Sequence, residues 1–249
     1  MIRLVNLTKE YRVGEQIVVT PVRHVSLTVA RGDFIIIVGR SGSGKTTLLN
    51  LAAGLVKPTS GEVFIGDANV RNMNDKQLSL LRNRKIGFVF QYPSLLSSLN
   101  ALENVALPAS FGPGQRRRNA NARASELLEL MGLSERLESY PRQLSAGEQK
   151  RVVIARSLMN APEVVLADEP TSDLDEQTEQ EIMTLMRQIH AEGVTIMIVT
   201  HSLELMRYAT RALRMEDGVL TDITGMAGAS AVKAKIADSG IGCADAGLY

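Results

Sequence analysis

The chain has 249 residues, of which 45% are hydrophobic, so it can form one large domain with a sizeable core or two small ones. Its 28 lysine and arginine residues nearly balance its 27 aspartate and glutamate residues, which excludes a net field that attracts nucleic acid or an anionic membrane. The single cysteine, Cys243, excludes an internal disulfide and a cysteine-based metal cluster, and it fits a reducing compartment.

The sequence shows no sign of membrane insertion. No apolar stretch approaches the roughly 18 residues that a membrane-spanning helix needs. The first residues, MIRLVNLTKEY, lack the basic and apolar regions of a secretory signal peptide. We therefore expect a cytoplasmic chain.

The predicted elements begin with a small β-subdomain and continue with an α/β core. RLVNLTKEYR and VVTPVRHVSLTV predict antiparallel strands that no helix separates, and the turn RGD follows them. Helical patterns, including KTTLLNLAAG (45–54) and EQTEQEIMTLMRQIHAEG (176–193), then alternate with short β-branched runs, as in an α/β fold. Five runs predict buried parallel strands: FIIIVG (34–39), EVFIG (62–66), IGFVF (86–90), EVVLAD (163–168) and TIMIVT (195–200).

Two further parts are predicted around this core. Helical patterns dominate from about Tyr92 to Asn160, which indicates an inserted helical subdomain. We expect its basic run, Arg116–Arg118, to be a solvated loop rather than a contact with lipid head groups, and we assign it no site. Residues 224–249 are rich in small residues and predict a weakly ordered tail behind a domain that spans 1–223.

The run GRSGSGKTT fits the pattern G-x-x-x-x-G-K-[ST] between a predicted strand and a predicted helix. Backbone N–H groups of such a loop wrap phosphates, the lysine adds positive charge, and the threonine after it binds Mg²⁺. This loop alone does not separate a kinase, a GTPase and a motor. The candidate nucleotide-binding residues are Gly39, Arg40, Ser41, Gly42, Ser43, Gly44, Lys45, Thr46 and Thr47.

Acidic residues follow the apolar run EVVLADEP and point to hydrolysis. In phosphate-loop enzymes an aspartate in the position of Asp168 fixes the metal and its waters. Glu169 could polarise the attacking water as a general base. The alternative is that these acids merely end a strand.

Gln91 and His201 follow two other predicted strands. Because parallel strands end at one edge of a sheet, both side chains are expected at the same edge as Asp168. Taken singly, each would be an ordinary loop or surface residue.

The segment LSAGEQKR opens a predicted helix, and it has two interpretations. Ser145 and Glu148 form a capping-box pattern, which indicates a well-capped helix and nothing more. Alternatively, Ser145, Ala146 and Gly147 form an anion-binding helix start. The sequence alone leaves both open.

Taken in order, GRSGSGKTT, the glutamine of FVFQ, LSAGEQ, VVLADE, the SDLD of TSDLD, and the histidine after TIMIVT resemble the full motif set of ABC ATPases. The resemblance runs from about Arg3 to Leu220. It implies a phosphate-loop, RecA-like α/β core and two copies that close head to tail. Each ATP would then lie between Lys45 of one chain and Ser145–Gly147 of the other.

The same resemblance implies roles for individual residues. Gln91 would contact Mg²⁺, Glu169 would be the catalytic base, His201 would contact the γ-phosphate, and Asp175 would lie in a loop across the dimer. Tyr11 resembles the aromatic residue that stacks on adenine, although an ordinary strand tyrosine is the alternative.

Residues 95–108, LLSSLNALENVALP, resemble the branch that includes lipoprotein-release, macrolide-export and cell-division ATPases. Their partner permeases carry large extracytoplasmic domains. Three residues depart from the family pattern: Ala146 replaces a glycine, Glu148 replaces a glutamine, and Asp173 replaces a small residue. Ala146 would slow dimer closure if its position needs a positive φ.

The leading hypothesis is the ATP-hydrolysing subunit of a membrane transporter or a related transmembrane machine, held at the inner face of the cell membrane by its permease. The alternative is a soluble ABC-type ATPase that acts on DNA or the ribosome, although neither a heptad run nor an internal repeat is present. A module that binds ATP without turnover is disfavoured because Glu169 and His201 are both present. A small-molecule kinase or a GTPase is disfavoured, because no Asn-Lys-x-Asp run occurs and the LSAGEQ helix would be unexplained.

Overall fold

A computed structural model describes residues 1–13, 17–111 and 119–225 of the chain. The basic run Arg116–Arg118, Cys243 and residues 226–249 of the predicted tail lie outside these residues. The predicted boundaries of the main domain, the helical subdomain and the tail therefore stay predictions.

The described residues form ten strands and six α-helices, joined by short 3₁₀ turns. The strands are β1 (Ile2–Val13), β2 (Ile17–Val29), β3 (Phe34–Val38), β4 (Ser60–Ile65), β5 (Ala68–Asn69), β6 (Ile86–Val89), β7 (Val164–Asp168), β8 (Thr195–Thr200), β9 (Arg211–Glu216) and β10 (Val219–Asp222). The helices are α1 (Lys45–Ala52), α2 (Asp75–Lys85), α3 (Ala101–Ala106), α4 (Ala120–Leu130), α5 (Ala146–Leu158) and α6 (Glu176–Ala191).

The main sheet has six strands in the order β10-β9-β3-β8-β7-β6. All neighbours pair in parallel except β10, which returns antiparallel to β9. Every residue of β3, β7 and β8 is buried. This confirms the predicted α/β fold with a mainly parallel core and shows why these strands are continuous apolar runs.

A second, antiparallel sheet has the order β2-β1-β4-β5. Its first two strands confirm the predicted N-terminal antiparallel pair. The prediction for EVFIG (62–66) was wrong in one respect, because β4 pairs antiparallel with β1 and does not join the parallel sheet. A β-branched run this short predicts a strand but does not indicate which sheet that strand joins.

The main sheet separates two apolar layers. Side chains alternate across β3, so Phe34, Ile36 and Val38 face one layer while Ile35 and Ile37 face the other. The first layer contains α3 to α6 and the second contains α1, α2 and the antiparallel sheet. The predicted apolar stripe of α6 lies in the first layer, with Ile182, Leu185, Met186 and Ile189 buried.

The elements described between residues 92 and 160 are all helical. No strand crosses this segment within the described residues, and α3, α4 and α5 pack against one another. None of the described helices combines the length and the apolar character that crossing a bilayer requires.

Candidate active site

The site lies where four parallel strands of the main sheet end. Gly39 follows β3 and donates its N–H to the carbonyl of Thr200, the last residue of β8 (3.3 Å). The N–H of Glu169, just after β7, donates to the carbonyl of Val199 in β8 (2.9 Å). The strand order therefore brings together the phosphate loop, His201, the acid pair and Gln91, as predicted from the parallel sheet.

Two glycines give the phosphate loop its shape. Gly42 and Gly44 have φ values of 79° and 102°, in the region that favours glycine. A Cβ on Gly44 would also overlap the carbonyl oxygen of Pro21 in β2, so the loop is packed closely against the antiparallel sheet. Gly44 is the N-cap of α1, where no side chain caps the helix and no acid lies in the first turn. Such a helix start is suited to an anion.

Lys45 turns its ammonium group back into this loop. Its Nζ donates to the carbonyls of Gly39 (2.7 Å) and Arg40 (3.1 Å) and lies 3.8 Å from Oε1 of Glu169. Lys45 is only 6% exposed, so its charge acts with little solvent screening. Nearby, the buried hydroxyl of Ser43 has no hydrogen-bond partner among the described residues. The loop thus carries a buried cation and an unsatisfied hydroxyl.

Asp168 closes the other side of the loop. Its Oδ1 accepts a hydrogen bond from the hydroxyl of Thr46 (3.1 Å). Burial raises the pKa of Asp168, and the hydrogen bond from Thr46 opposes that rise. The pair places two hard oxygen atoms side by side, of the kind that Mg²⁺ prefers.

Glu169 is held by two neighbours. Its Oε2 accepts from the backbone N–H of His201 (3.2 Å) and lies 2.9 Å from Nδ1 of the same histidine. Glu169 is buried and has a φ of 45°, which is uncommon for a residue other than glycine. By contrast, the side chain of His201 is 67% exposed and is free to meet a ligand.

These side chains line one cavity of about 550 Å³. Most predicted residues of the phosphate loop, together with the predicted Gln91, Glu169 and His201, meet there. Arg40 and Ser43 line a neighbouring cavity with residues 215–217. The lining residues are Pro21, Ser41, Gly42, Gly44, Lys45, Thr46, Thr47, Gln91, Glu169 and His201.

The structure places Ser145, Ala146 and Gly147 away from that cavity. Ser145 caps α5, because its hydroxyl accepts from the N–H of Glu148 (3.2 Å) while Glu148 accepts from the N–H of Ser145 (2.7 Å). The predicted capping box is therefore present. Ala146 is the first residue of α5 and is not among the residues with positive φ, so the concern about alanine at this position does not apply to this conformation.

Two other predicted residues also lie outside the cavity. Asp175 is the exposed N-cap of α6, and hydrogen bonds from Thr178 lower its pKa. Tyr11 lies on β1, is 39% exposed, and has the ammonium of Lys9 at 4.8 Å from its ring centre. One chain by itself therefore does not bring Ser145–Gly147, Asp175 or Tyr11 to the phosphate loop.

Sequence reasoning missed two contributors near the site. Pro21 lines the cavity and supports Gly44 through its backbone oxygen. Lys150 is buried in α5, and its ammonium donates to the backbone carbonyl of Gln91. The signal in the sequence for Lys150 is its place on an otherwise apolar helix face, beside Val153 and Ile154.

Comparison with known proteins supports this reading of the geometry. The sequence profile of the ABC transporter family matches residues 22–172. An ABC transporter ATP-binding protein of Thermotoga maritima is 47% identical over 223 residues, which cover 90% of this chain and 94% of that protein. The macrolide export ATP-binding/permease protein MacB of Rhodopirellula baltica is 42% identical over 242 residues. That alignment covers 96% of this chain but 35% of MacB, so the chain corresponds to only part of that relative's length.

A solved structure has the same fold. It is the dimer of the ATP-binding cassette MJ0796 of Methanocaldococcus jannaschii in a post-hydrolysis state, bound to ADP and Pi. It matches with a TM-score of 0.81 and 37% identity, and the match covers 90% of this chain and 99% of that one. The chain belongs to the ABC transporter family and is an ATP-binding cassette with ATPase activity.

Proposed function

We propose that two copies of the chain close head to tail around two ATP molecules and drive a separate membrane permease. One observation carries the dimer: Ser145 and Ala146 are exposed at the start of α5, while the phosphate cavity of the same chain lacks them. A second copy would supply this helix start to the cavity and complete the site. The dimeric MJ0796 cassette and the combined ATP-binding/permease name of MacB support the proposal.

The donor atoms of the site suit Mg²⁺. Thr46 and Asp168 present oxygens 3.1 Å apart, and Gln91 lines the same cavity. No group of three or more metal-binding side chains occurs among the described residues, so phosphate oxygens and water would complete the shell. In this proposal Thr46 and Gln91 bind the ion and Asp168 fixes its waters. Bound Mg²⁺ would neutralise charge that develops on the β- and γ-phosphates.

Hydrolysis follows from the positions of three side chains. The ammonium of Lys45 would bind the phosphates in place of the loop carbonyls that it now contacts. Glu169 would accept a proton from the water whose oxygen attacks the γ-phosphorus, as the bond to the bridging oxygen of ADP breaks. His201, which holds Glu169 through Nδ1, would contact the γ-phosphate with its exposed edge.

An apolar groove of about 410 Å³ offers a place for the permease. Phe90 and Phe111 line it with exposures of 41% and 68%. The buried side-chain oxygens of Asn83 and Asn160 also border it, and neither has a partner among the described residues. An apolar segment that carries hydrogen-bond donors would fit this groove. Phe90, which lines the groove, directly precedes Gln91 in the sequence. Through such a permease the chain would lie on the cytoplasmic face of the membrane.

The test uses Glu169→Gln, which keeps the shape of the side chain but removes its basicity. Hydrolysis should fall by about 10²-fold or more, and ATP should turn the variant from a monomer into a dimer in light scattering. The same variant with ATP is then used for affinity capture from detergent-solubilised native membranes. Recovery of a permease with a large extracytoplasmic domain supports the proposal. Recovery of ribosomes or DNA-bound proteins without a permease, or no ATP-dependent dimer, contradicts it.

A further inference from the structure

Lys150 is a buried lysine whose position the ATPase reaction does not by itself explain. It lies in the second turn of α5 and is 4% exposed. Its ammonium donates to the backbone carbonyl of Gln91. Burying a cation is costly unless partners compensate it, so a lysine at this place needs a local reason.

Three carboxylates provide part of the compensation. Burial lowers the pKa of Lys150, and the carboxylates of Asp173, Asp168 and Glu169 oppose this shift by stabilising the charged form. The side chain also borders a cavity of about 260 Å³ that Gln91, Asp173 and Ala146 share. Lys150 thus lies where α5, the loop after β6 and the loop after β7 meet.

A second cation of α5 holds the same loop further along. Arg156 donates to the carbonyls of Pro93 (3.1 Å) and Ser94 (2.9 Å). Three carbonyls between residues 91 and 94 therefore accept hydrogen bonds from one helix. The loop cannot shift along α5 without breaking these bonds, and only the bond from Lys150 is made at Gln91 itself.

We propose that Lys150 is a positioning residue that fixes Gln91 relative to α5 and so links two ATP sites. The inference rests on the proposed function, in which the start of α5 meets the ATP of the partner chain. Movement of α5 on that ATP is passed through Lys150 to Gln91, which lines the ATP cavity of its own chain. The link needs a hydrogen-bond donor at position 150 that reaches the Gln91 carbonyl.

The experiment compares three variants of the full chain. Lys150→Met removes the donor, and Lys150→Gln keeps a donor without the charge on a side chain as long as that of methionine. Lys85→Met is the matched control, because it removes the ion pair between Lys85 and Glu163 (3.1 Å). Lys85 directly precedes β6 and so lies at the opposite end of that strand from Gln91. The measurements are kcat and KM for ATP, the Kd of ATP for the monomer, and amide hydrogen exchange of residues 89–96.

In Lys150→Met we expect kcat to fall by about tenfold or more, the loss that one charge-assisted hydrogen bond predicts. The Kd of ATP should stay within about twofold, and exchange should rise in residues 89–96. Lys150→Gln should recover most of the lost turnover, and Lys85→Met should change none of these values.

Wild-type kcat in Lys150→Met, or no recovery in Lys150→Gln, would overturn the inference. Failure of the proposed function would show instead as a Glu169→Gln variant that does not dimerise with ATP, whereas the exchange measurement needs no dimer.

Discussion

Asp168 is a carboxylate whose function conflicts with its burial. Burial raises its pKa, so the folded chain favours the protonated form more than the unfolded chain does. The stability that this difference contributes is fully present below the ordinary pKa and is lost as the pH rises through the raised pKa. At neutral pH the ionised Asp168 therefore destabilises the nucleotide-free protein.

Asp168→Asn should relieve this cost, because the amide oxygen can still accept the hydrogen bond from Thr46. We expect a higher Tm than wild type at neutral pH without nucleotide, together with loss of ATPase activity. Thermal scans from neutral pH downward check the sign, since the difference in Tm between the variant and wild type should narrow as the pH falls through the raised pKa of Asp168. A variant that is less stable than wild type at neutral pH would contradict the argument.

Gly44 and Gly42 allow a controlled comparison in the phosphate loop. Both have positive φ, but a Cβ on Gly42 meets no atom within 4 Å, while one on Gly44 overlaps the carbonyl of Pro21. Gly42→Ala should cost only backbone strain, about 1–2 kcal/mol. Gly44→Ala should cost clearly more and should abolish ATP binding. Urea unfolding and nucleotide titration measure both effects, and equal costs for the two variants would show that the contact with Pro21 is unimportant.

The chemistry of the motif residues was predictable because phosphate binding and water activation need particular side chains at particular spacings. The structure places Lys45, Asp168, Glu169 and His201 together, as expected, although their roles stay predictions. The burial of Lys150 was harder to predict, since lysine is normally exposed and its place on an apolar helix face does not show what its ammonium contacts. Pro21 acts through a backbone oxygen, which any residue would supply.

Helix α5 begins with a capping box, and α2 begins with another one. In α2, Asn74 accepts from the N–H of Gln77 (2.9 Å), and Gln77 accepts from the N–H of Asn74 (3.0 Å). Removing either cap should therefore have a similar effect on stability. Only the cap of α5 lies at a surface that the proposed dimer uses.

Ser145→Ala and Asn74→Ala should each lower the free energy of unfolding by about 1 kcal/mol. Ser145→Ala should also lower ATPase activity, whereas Asn74→Ala should leave it unchanged. Denaturant titration and a coupled ATPase assay test the two effects separately. If both variants keep full activity, Ser145 is only a helix cap, which is the simpler of the two interpretations of LSAGEQKR.

The elements differ in how clearly the sequence marks them. The strands β3, β7 and β8 are buried on both faces and consist of continuous apolar runs, so their existence and parallel pairing were predictable. Helix α2 has a single buried residue, Leu78, and hence no periodic apolar face. Strand β9 carries two arginines, and β10 has no buried residue. Strands β9 and β10 owe their form to tertiary pairing, which local patterns do not report.

The motifs can be identified in the sequence, but their positions relative to one another are set by the fold of the whole chain. The order of the motifs along the chain is the same whether the start of α5 serves its own ATP or that of a second copy. Only the separation of Ser145–Gly147 from the phosphate cavity distinguishes these cases, and separation is a property of the fold. The same holds for Asp175 and Tyr11, which the resemblance to ABC ATPases places near a nucleotide and which lie outside the cavity of the single chain.

The main sheet lies between the two apolar layers and contributes side chains to both, because alternate residues of β3, β7 and β8 face opposite sides. Loss of either layer would expose one face of these strands to water and would withdraw cover from the other layer. The described residues should therefore melt as one cooperative unit, even though they form an antiparallel sheet, a mainly parallel core and a helical part. Calorimetry should give a single transition whose van't Hoff and calorimetric enthalpies agree, and two separated transitions would show that the layers are independent.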